Sequence, residues 1–230
     1  MRAFSKKETR ASIVSDRHSC YNGRMNNVLF VFDLDCTLTR AELLPQLAQE
    51  IGIAAQIDAL TERAMAGGDS YRENFLKRVE LMRALSVSHA QEIAANALLF
   101  DSLAEFVRTN RDRALILSGN LDVWIEKLLD RLNMRGRCLC SRGTVKDDRV
   151  ASILSVMDKE AAVKTLPHPF VAVGDGENDV PMLRAADYAI AFGGARKTPA
   201  AVAAVADRVI ANEAELRALL DSIAENGLPK

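Results

Sequence analysis

Short apolar runs and amphipathic stretches alternate along most of the chain. Residues 28–32 form an apolar, β-rich run that ends in charged residues, which is typical of a buried parallel strand. The remaining pattern predicts strands at 114–117, 170–173 and 188–191, and helices at 121–132, 179–185, 199–205 and 213–223. Strands that alternate with helices in this way predict an α/β fold, with a parallel sheet covered by helices on both faces.

The stretch from residue 41 to residue 99 departs from this alternation. Its apolar residues recur at spacings of three and four, as in Leu43 and Leu47, so the stretch is expected to be helical. A Gly-Gly pair at 67–68 breaks the pattern, and the Asp-Ser pair at 69–70 can cap the next helix. A helical segment of roughly 60 residues is too long for a simple crossover connection. The predicted domains are therefore a core formed by residues 28–40 and 100–230, and a smaller helical domain formed by residues 41–99.

The composition limits the classes of partner. The chain has 30 Lys and Arg residues against 31 Asp and Glu residues, and this net charge of −1 argues against a nucleic-acid-binding surface. No apolar run approaches the roughly 20 residues that a membrane span needs. The four cysteines form no CxxC pair, and the three histidines show no metal-ligand spacing with them, which fits a reducing cytoplasm.

The N-terminal residues 1–27 are polar and basic and contain no apolar segment of a secretion signal. Because they are poor in acidic residues, an organelle transit peptide is one interpretation. We favour a disordered or upstream-translated extension, because Met25 stands just before the first predicted strand.

Polar residues suited to chemistry follow three of the predicted strands. In open parallel sheets, ligands bind beyond the carboxyl ends of the strands. The segments at those ends are Asp33-Leu34-Asp35-Cys36-Thr37, Ser118-Gly119-Asn120 and Gly174-Asp175-Gly176-Glu177-Asn178-Asp179. Four aspartates at one sheet edge would repel one another unless a cation neutralised them. Oxygen ligands with at least two carboxylates suit Mg²⁺.

Each of these segments also has an unremarkable interpretation. An Asp-x-Asp pair can be a solvated strand end, Ser118-Gly119-Asn120 can be a simple turn, and lysines such as Lys159 and Lys164 are usually exposed on helices. Other motifs fail: Asp179 stands where a dinucleotide fingerprint needs its third glycine, and Val180 where a calcium loop needs one. The combination of three strand ends favours one active site.

Together these residues resemble the four ordered motifs of the haloacid dehalogenase superfamily. The motifs are the segment from Asp33 to Thr37, then Ser118, Lys159 and the segment from Gly174 to Asp179. Within the superfamily, residues 28–220 are similar to the phosphoserine phosphatases. The resemblance implies a Rossmann-like parallel sheet core with an inserted all-helical cap, in agreement with the hydrophobic pattern.

The resemblance also implies a phosphatase mechanism with Mg²⁺ as cofactor. Asp33 would attack phosphorus and form an aspartyl phosphate, and Asp35 would act as general acid and then as general base. Ser118 and Lys159 would hold the phosphoryl oxygens. The implied metal ligands are the Asp33 carboxylate, the Asp35 main-chain carbonyl and Asp175, with Asp179 orienting the bound waters.

By the same resemblance, the favoured substrate is O-phosphoserine, a small phosphorylated metabolite. Glu42 matches the cap glutamate that receives the substrate amino group, and Arg78 matches the arginine that binds its carboxylate with a planar fork. Gly119 and Asn178 are also expected to contact the substrate, and Tyr71 resembles part of the family's apolar lid. Exposed charge on a cap helix is the alternative for Glu42 and Arg78.

The sequence departs from the family pattern at three places, and the first two bear on the substrate. Asn120 replaces a glycine, residues 141–157 are shorter than the corresponding hairpin region of the family, and Cys36 replaces a small Ser or Gly. A phosphatase or phosphotransferase for another small phosphorylated metabolite is therefore the alternative enzyme. A phosphate- or nucleotide-binding module is the non-enzymatic alternative, but it would have no need of a nucleophile.

Overall fold

The computed structural model describes residues 27–65 and 70–229. The extension predicted for residues 1–27 lies outside the described residues except for Asn27, and so do the Gly-Gly break at 67–68 and Asp69. Within the described ranges, no helix is both long enough and apolar enough to cross a membrane.

One seven-stranded sheet forms the core, in the order β4-β3-β2-β1-β5-β6-β7. The strands are β1 Leu29–Phe32, β2 Ala114–Leu121, β3 Cys138–Lys146, β4 Arg149–Ser155, β5 Phe170–Gly174, β6 Tyr188–Phe192 and β7 Arg208–Ile210. All neighbouring pairs are parallel except β3 and β4, which are antiparallel. β1 thus lies between β2 and β5, and the predicted Rossmann-like α/β core is confirmed.

Helices cover both faces of this sheet. In the described ranges the α-helices are α1 Leu43–Glu50, α2 Ala54–Met65, α3 Tyr71–Leu81, α4 Val87–Ala95, α5 Asp101–Thr109, α6 Asp122–Arg131, α7 Lys159–Val163, α8 Val180–Ala185, α9 Ala200–Ala203 and α10 Glu213–Asn226. Helices α5, α6 and α10 pack on one face, and α7, α8 and α9 pack on the other. Because side chains alternate along a strand, Phe30 and Phe32 of β1 join the first layer and Val31 joins the second.

Helices α1 to α4 form the helical insertion between β1 and the rest of the core, as predicted. Ser70 begins α3 with a capping box, in which its side chain accepts from the Glu73 amide and the Glu73 carboxylate accepts from the Ser70 amide. An apolar cluster joins the insertion to the core, since it contains Phe75 of α3, Ala90 of α4 and Trp124 of α6. The inserted all-helical cap is therefore present, while its bounds of 41–99 stay a prediction.

Several elements were not predicted from the hydrophobic pattern. Strands β3 and β4 form an antiparallel hairpin, in which Cys138 and Cys140 of β3 pack against the core. The hairpin turn places Asp147 and Asp148 at φ 50° and 56°, in the left-handed region. An Asn-Gly pair predicts such a turn far more strongly than an Asp-Asp pair does. Helix α5 and the three-residue β7 were also missed.

Phe106 of α5 provides a test of the packing beneath β1. Its ring is fully buried and makes edge contacts with Phe30 and Phe32 at centroid distances of 5.0 and 6.0 Å. Phe106→Ala should lower the free energy of unfolding by about 3–5 kcal/mol, because it removes this packing and leaves a cavity. Urea denaturation measures the change, with the exposed Val209→Ala as control. A loss no larger than that of the control would contradict the layer arrangement.

Candidate active site

The segment after β1 places a carboxylate at the edge of the sheet. The backbone N–H of Asp33 donates to the carbonyl of Val173 on β5 at 2.9 Å. The chain then turns tightly, because Cys36 adopts φ 57° and the amide of Thr39 donates to the carbonyl of Leu34 at 3.0 Å. Strained backbone of this kind is concentrated at functional sites.

Three buried carboxylates meet beyond the ends of β1 and β5. Asp33, Asp175 and Asp179 are 4%, 2% and 0% exposed and offer oxygen atoms that all lie within 4.8 Å of one another. Burial, reinforced by the charge of Asp179, holds the pKa of Asp33 well above its usual range, and burial raises the pKa of Asp175 to about 6. The side chain of Asp35, expected at the same edge, is not part of this cluster.

Lys159 is the cation at the centre of the cluster. Its Nζ lies 2.5 Å from Asp33 Oδ1 and 2.5 Å from Asp179 Oδ1. Burial alone would lower the pKa of Lys159, but the two carboxylates raise it above its usual value, so the ammonium stays charged. The exposed-lysine interpretation is therefore wrong for Lys159, whereas Lys164 is exposed and pairs with Glu160.

Asp179 organises the loop after β5. Its Oδ2 accepts from the amides of Asp175 and Gly176, both at 3.0 Å, while its Oδ1 contacts Lys159. Gly174 allows this approach, because a Cβ there would lie only 2.7 Å from Asp179 Cβ, Cγ and Oδ2. The position of Asp179 in the cluster thus depends on the glycine at position 174.

Asn120 joins the other two catalytic candidates. Its Nδ2 donates to Asp35 Oδ2 at 2.9 Å and to Ser118 Oγ at 3.1 Å, and its backbone amide also donates to Ser118 Oγ at 3.1 Å. Burial raises the pKa of Asp35 to about 7, although the hydrogen bond from Asn120 acts in the opposite direction. The Ser118-Gly119-Asn120 segment belongs to β2, whose pairing with β3 is irregular between Ser118 and Leu121, so it is not a simple turn.

The donor set of the cluster fits Mg²⁺. Asp33, Asp175 and Asp179 supply oxygen atoms from carboxylates, which this cation prefers over nitrogen and sulfur. Burial disfavours the charged forms of Asp33 and Asp175, and a bound dication would favour those forms. The cluster therefore has both the ligands and an electrostatic need for a divalent cation.

The two cap residues expected to bind substrate lie near each other. Glu42 immediately precedes α1, and Arg78 lies half-buried on α3. Burial lowers the pKa of Arg78, and the neighbouring Glu42 carboxylate opposes that effect. Arg196, which no sequence motif singled out, reaches both the cap and the cluster: its Nη1 donates to Glu42 Oε1 at 2.8 Å and its Nε to Asp175 Oδ2 at 2.6 Å.

A cleft of about 440 Å³ leads to Lys159. Its wall includes Tyr71 at the start of α3 and the exposed Asn178. The Tyr71 hydroxyl lies close to Gly119, where a Cβ would be only 2.2 Å from it. The structure thus places Asn178 on the wall of this cleft and Gly119 beside Tyr71, while their contact with a substrate stays a prediction.

Comparison with known proteins identifies the family of the chain. Residues 28–187 match a haloacid dehalogenase-like hydrolase family, and residues 157–223 match a second one. The chain belongs to the haloacid dehalogenase-like hydrolases. All the candidate catalytic and metal-binding residues lie within the first match.

Curated relatives of this hydrolase include phosphoserine phosphatases. That of Halobacterium salinarum is 32% identical over 183 residues, which cover 70% of this chain and 84% of the relative. That of Archaeoglobus fulgidus is 29% identical over 194 residues, which cover 78% of this chain and 56% of the relative. The chain thus spans little more than half of the length of the Archaeoglobus protein.

Solved structures show the same fold. Phosphoserine phosphatase from T. onnurineus in complex with NDSB-201 superposes with a TM-score of 0.67 at 25% identity, covering 88% of this chain and 99% of that chain. A phospho-aspartyl intermediate analogue of phosphoserine phosphatase gives a TM-score of 0.69 at 24% identity, covering 84% and 97%. The predicted superfamily and the enzyme class, a phosphoric monoester hydrolase, are confirmed by the family and relative matches together.

Gly174 is a sensitive position in this hydrolase. Gly174→Ala should push Asp179 away from the loop amides and from Lys159, because the added Cβ would overlap its side chain. We expect a loss of about 1–3 kcal/mol in the free energy of unfolding, measured by urea denaturation. We also expect weaker Mg²⁺ binding in calorimetric titration. Unchanged stability and unchanged Mg²⁺ binding would contradict the tight approach of Asp179.

Proposed function

We propose that this hydrolase is a magnesium-dependent phosphomonoesterase, with Asp33 as nucleophile and O-phosphoserine as the favoured substrate. The observation that carries the proposal is the shared contact of Lys159 with Asp33 and Asp179, beside Asp175. A buried lysine ammonium beside the nucleophile can offset the negative charge of a phosphate, which the carboxylate nucleophile would otherwise repel.

In the first step, an oxygen of Asp33 attacks phosphorus in line with the ester oxygen. A new bond forms between the Asp33 oxygen and phosphorus, and the bond from phosphorus to the ester oxygen breaks. Asp35 donates its proton to the leaving oxygen, which departs as an alcohol. A carboxyl group whose pKa burial raises to about 7 is suited to hold that proton near neutral pH.

In the second step, Asp35 takes a proton from water. The water oxygen bonds to phosphorus, the bond to Asp33 breaks, and inorganic phosphate leaves. Asn120 fixes Asp35 for both steps, because its side-chain amide donates to the Asp35 carboxylate and also to Ser118. Asn120 is thus a positioning residue for the acid and base.

Charge on the transferring phosphoryl group is offset by several groups. Lys159 and Ser118 would bind its oxygens from the core, and Gly119 would bring its backbone close. Mg²⁺, held by Asp33, the Asp35 main-chain carbonyl and Asp175, would neutralise charge on the nucleophile and the phosphoryl oxygens. Asp179 would orient the waters of the metal.

The cap supports the assignment of an amino-acid phosphate. Glu42 and Arg78 are one acid and one base at the cap side of the site, as an ammonium and a carboxylate require. The named relatives are phosphoserine phosphatases. The ion pair between Arg196 and Glu42 favours the alternative, another small phosphorylated metabolite, because it already satisfies the carboxylate meant for the ammonium.

Domain roles and location follow from the same proposal. Residues 41–99 would act as a cap that excludes water during phosphoryl transfer, and residues 28–40 and 100–230 would form the catalytic core. Three of the cysteines, Cys36, Cys138 and Cys140, are free thiols, which supports a cytoplasmic enzyme.

The nucleophile is tested by Asp33→Asn. The amide cannot form the acyl phosphate, so turnover of p-nitrophenyl phosphate should fall to background in a steady-state assay. Asp58→Asn, which changes an exposed carboxylate on α2, serves as the matched control and should keep wild-type activity. Beryllium fluoride, an acyl-phosphate mimic, should bind wild type and not Asp33→Asn. Near-normal activity of Asp33→Asn would refute the mechanism.

The substrate assignment is tested by Arg78→Ala. Loss of a charge-assisted contact to a desolvated carboxylate should cost on the order of 2–4 kcal/mol, or about 30- to 1000-fold in kcat/KM for phosphoserine. Hydrolysis of p-nitrophenyl phosphate, which has no carboxylate, should change little. Arg83→Ala, which removes an exposed cap arginine paired with Glu80, is the control. Equal losses on both substrates would exclude Arg78 as the carboxylate reader.

A further inference from the structure

Arg196 has no role in the mechanism above, yet it links two parts of it. Its Nε lies 2.6 Å from Asp175 Oδ2, and its Nη1 lies 2.8 Å from Glu42 Oε1. Asp175 follows β5 in the core, whereas Glu42 precedes the first helix of the cap. One guanidinium therefore bridges the carboxylate proposed to bind metal and the carboxylate proposed to bind the substrate amine.

The charges of the cluster explain why such a bridge forms. Lys159 contacts Asp33 and Asp179, and Arg196 contacts Asp175, so each of the three carboxylates has a cationic neighbour. The Asp175 side chain is only 2% exposed, and a carboxylate so buried is costly to leave without a partner. Arg196 thus offsets the charge of Asp175, as Lys159 offsets the charges of Asp33 and Asp179.

The two cations differ in their freedom to move. The Lys159 side chain is 6% exposed and is enclosed by the cluster, whereas the Arg196 side chain is 44% exposed. A half-exposed arginine can carry its charge into water while its stem stays against the protein. Arg196 can therefore leave Asp175, and Lys159 cannot leave its partners at similar cost.

We propose that Arg196 is a replaceable counter-ion, which holds the Asp175 carboxylate when no divalent cation is bound and gives it up when one binds. A guanidinium and a dication on one carboxylate repel each other strongly in a buried site. When Arg196 withdraws, Glu42 loses the partner that fixes it to the core. Metal binding thereby releases the Glu42 carboxylate of the cap for contact with a ligand.

This inference rests on the metal site of the proposed function, but not on phosphoserine as the substrate. A fixed structural arginine is the competing explanation. Such a residue would keep its contacts in the presence of metal, and its removal would damage the protein equally with and without Mg²⁺. The two explanations thus differ in how the effect of Arg196 depends on metal.

The test compares wild type with Arg196→Ala in two linked measurements. Calorimetric titration with Mg²⁺ should show about 10-fold tighter binding to Arg196→Ala, because a competing positive charge is gone. The melting temperature of Arg196→Ala should lie below that of wild type in EDTA and equal it at saturating Mg²⁺. The two results agree thermodynamically, because a ligand that binds the folded state adds stability according to its affinity.

Two further variants keep the test decisive. Lys197→Ala removes the same charge one residue later, from an exposed side chain, and should leave both measurements unchanged. Arg196→Gln removes the charge but retains a hydrogen-bond donor, and it replaces Arg196→Ala should the latter fail to fold in EDTA. Weaker Mg²⁺ binding, a melting deficit that persists at saturating Mg²⁺, or no change in either measurement would overturn the proposal. None of these measurements uses phosphoserine, so their outcome is independent of the substrate assignment.

Discussion

Repulsion among buried carboxylates is the constraint on which this site depends. Parallel strands β1 and β5 bring Asp33, Asp175 and Asp179 within 4.8 Å of one another at one edge of the sheet. Water, which would screen this repulsion, is largely excluded by the burial of all three side chains. The fold therefore needs positive charge at this edge, from Lys159, from Arg196 and, as we propose, from Mg²⁺. A phosphate dianion also needs positive charge at its binding site, so the cations that stabilise the folded carboxylate cluster are suited to bind a phosphate as well.

The cap and the core are joined through charge as well as through apolar packing. Phe75 and Trp124 belong to one apolar cluster that crosses from the insertion to α6. Next to the carboxylates, Arg196 of the core donates a hydrogen bond to Glu42, which precedes the first helix of the cap. Polar contacts of this kind break at lower cost than a packed core when a partly exposed group moves into water. A cap attached in both ways can respond to ligands while it remains folded onto the sheet.

Much of the fold and most of the carboxylate cluster could be predicted from the sequence, for a physical reason. The strands that precede Asp33 and Asp175 are buried except for the partly exposed Leu29, so their apolar runs are clear, and parallel strands bring their carboxyl ends to one edge. Ser70 likewise begins α3 as its residue type predicts. The hydrophobic pattern did not predict the β3–β4 hairpin, because its strands are half-exposed and its turn lacks glycine. Arg196 was missed because its long side chain contacts residues that are distant in the sequence, and no sequence spacing predicts which residues such a side chain reaches.

The central claim is that the phosphoryl group passes through Asp33. Borohydride reduces an acyl phosphate on aspartate to homoserine, so quenching the enzyme with borohydride during turnover of p-nitrophenyl phosphate in Mg²⁺ marks the residue that carried the group. Mass spectrometry of the peptide that spans β1 should then show homoserine at position 33, and none when EDTA replaces Mg²⁺. Reduction at another carboxylate, or continued turnover with no reduced residue at all, would contradict the account.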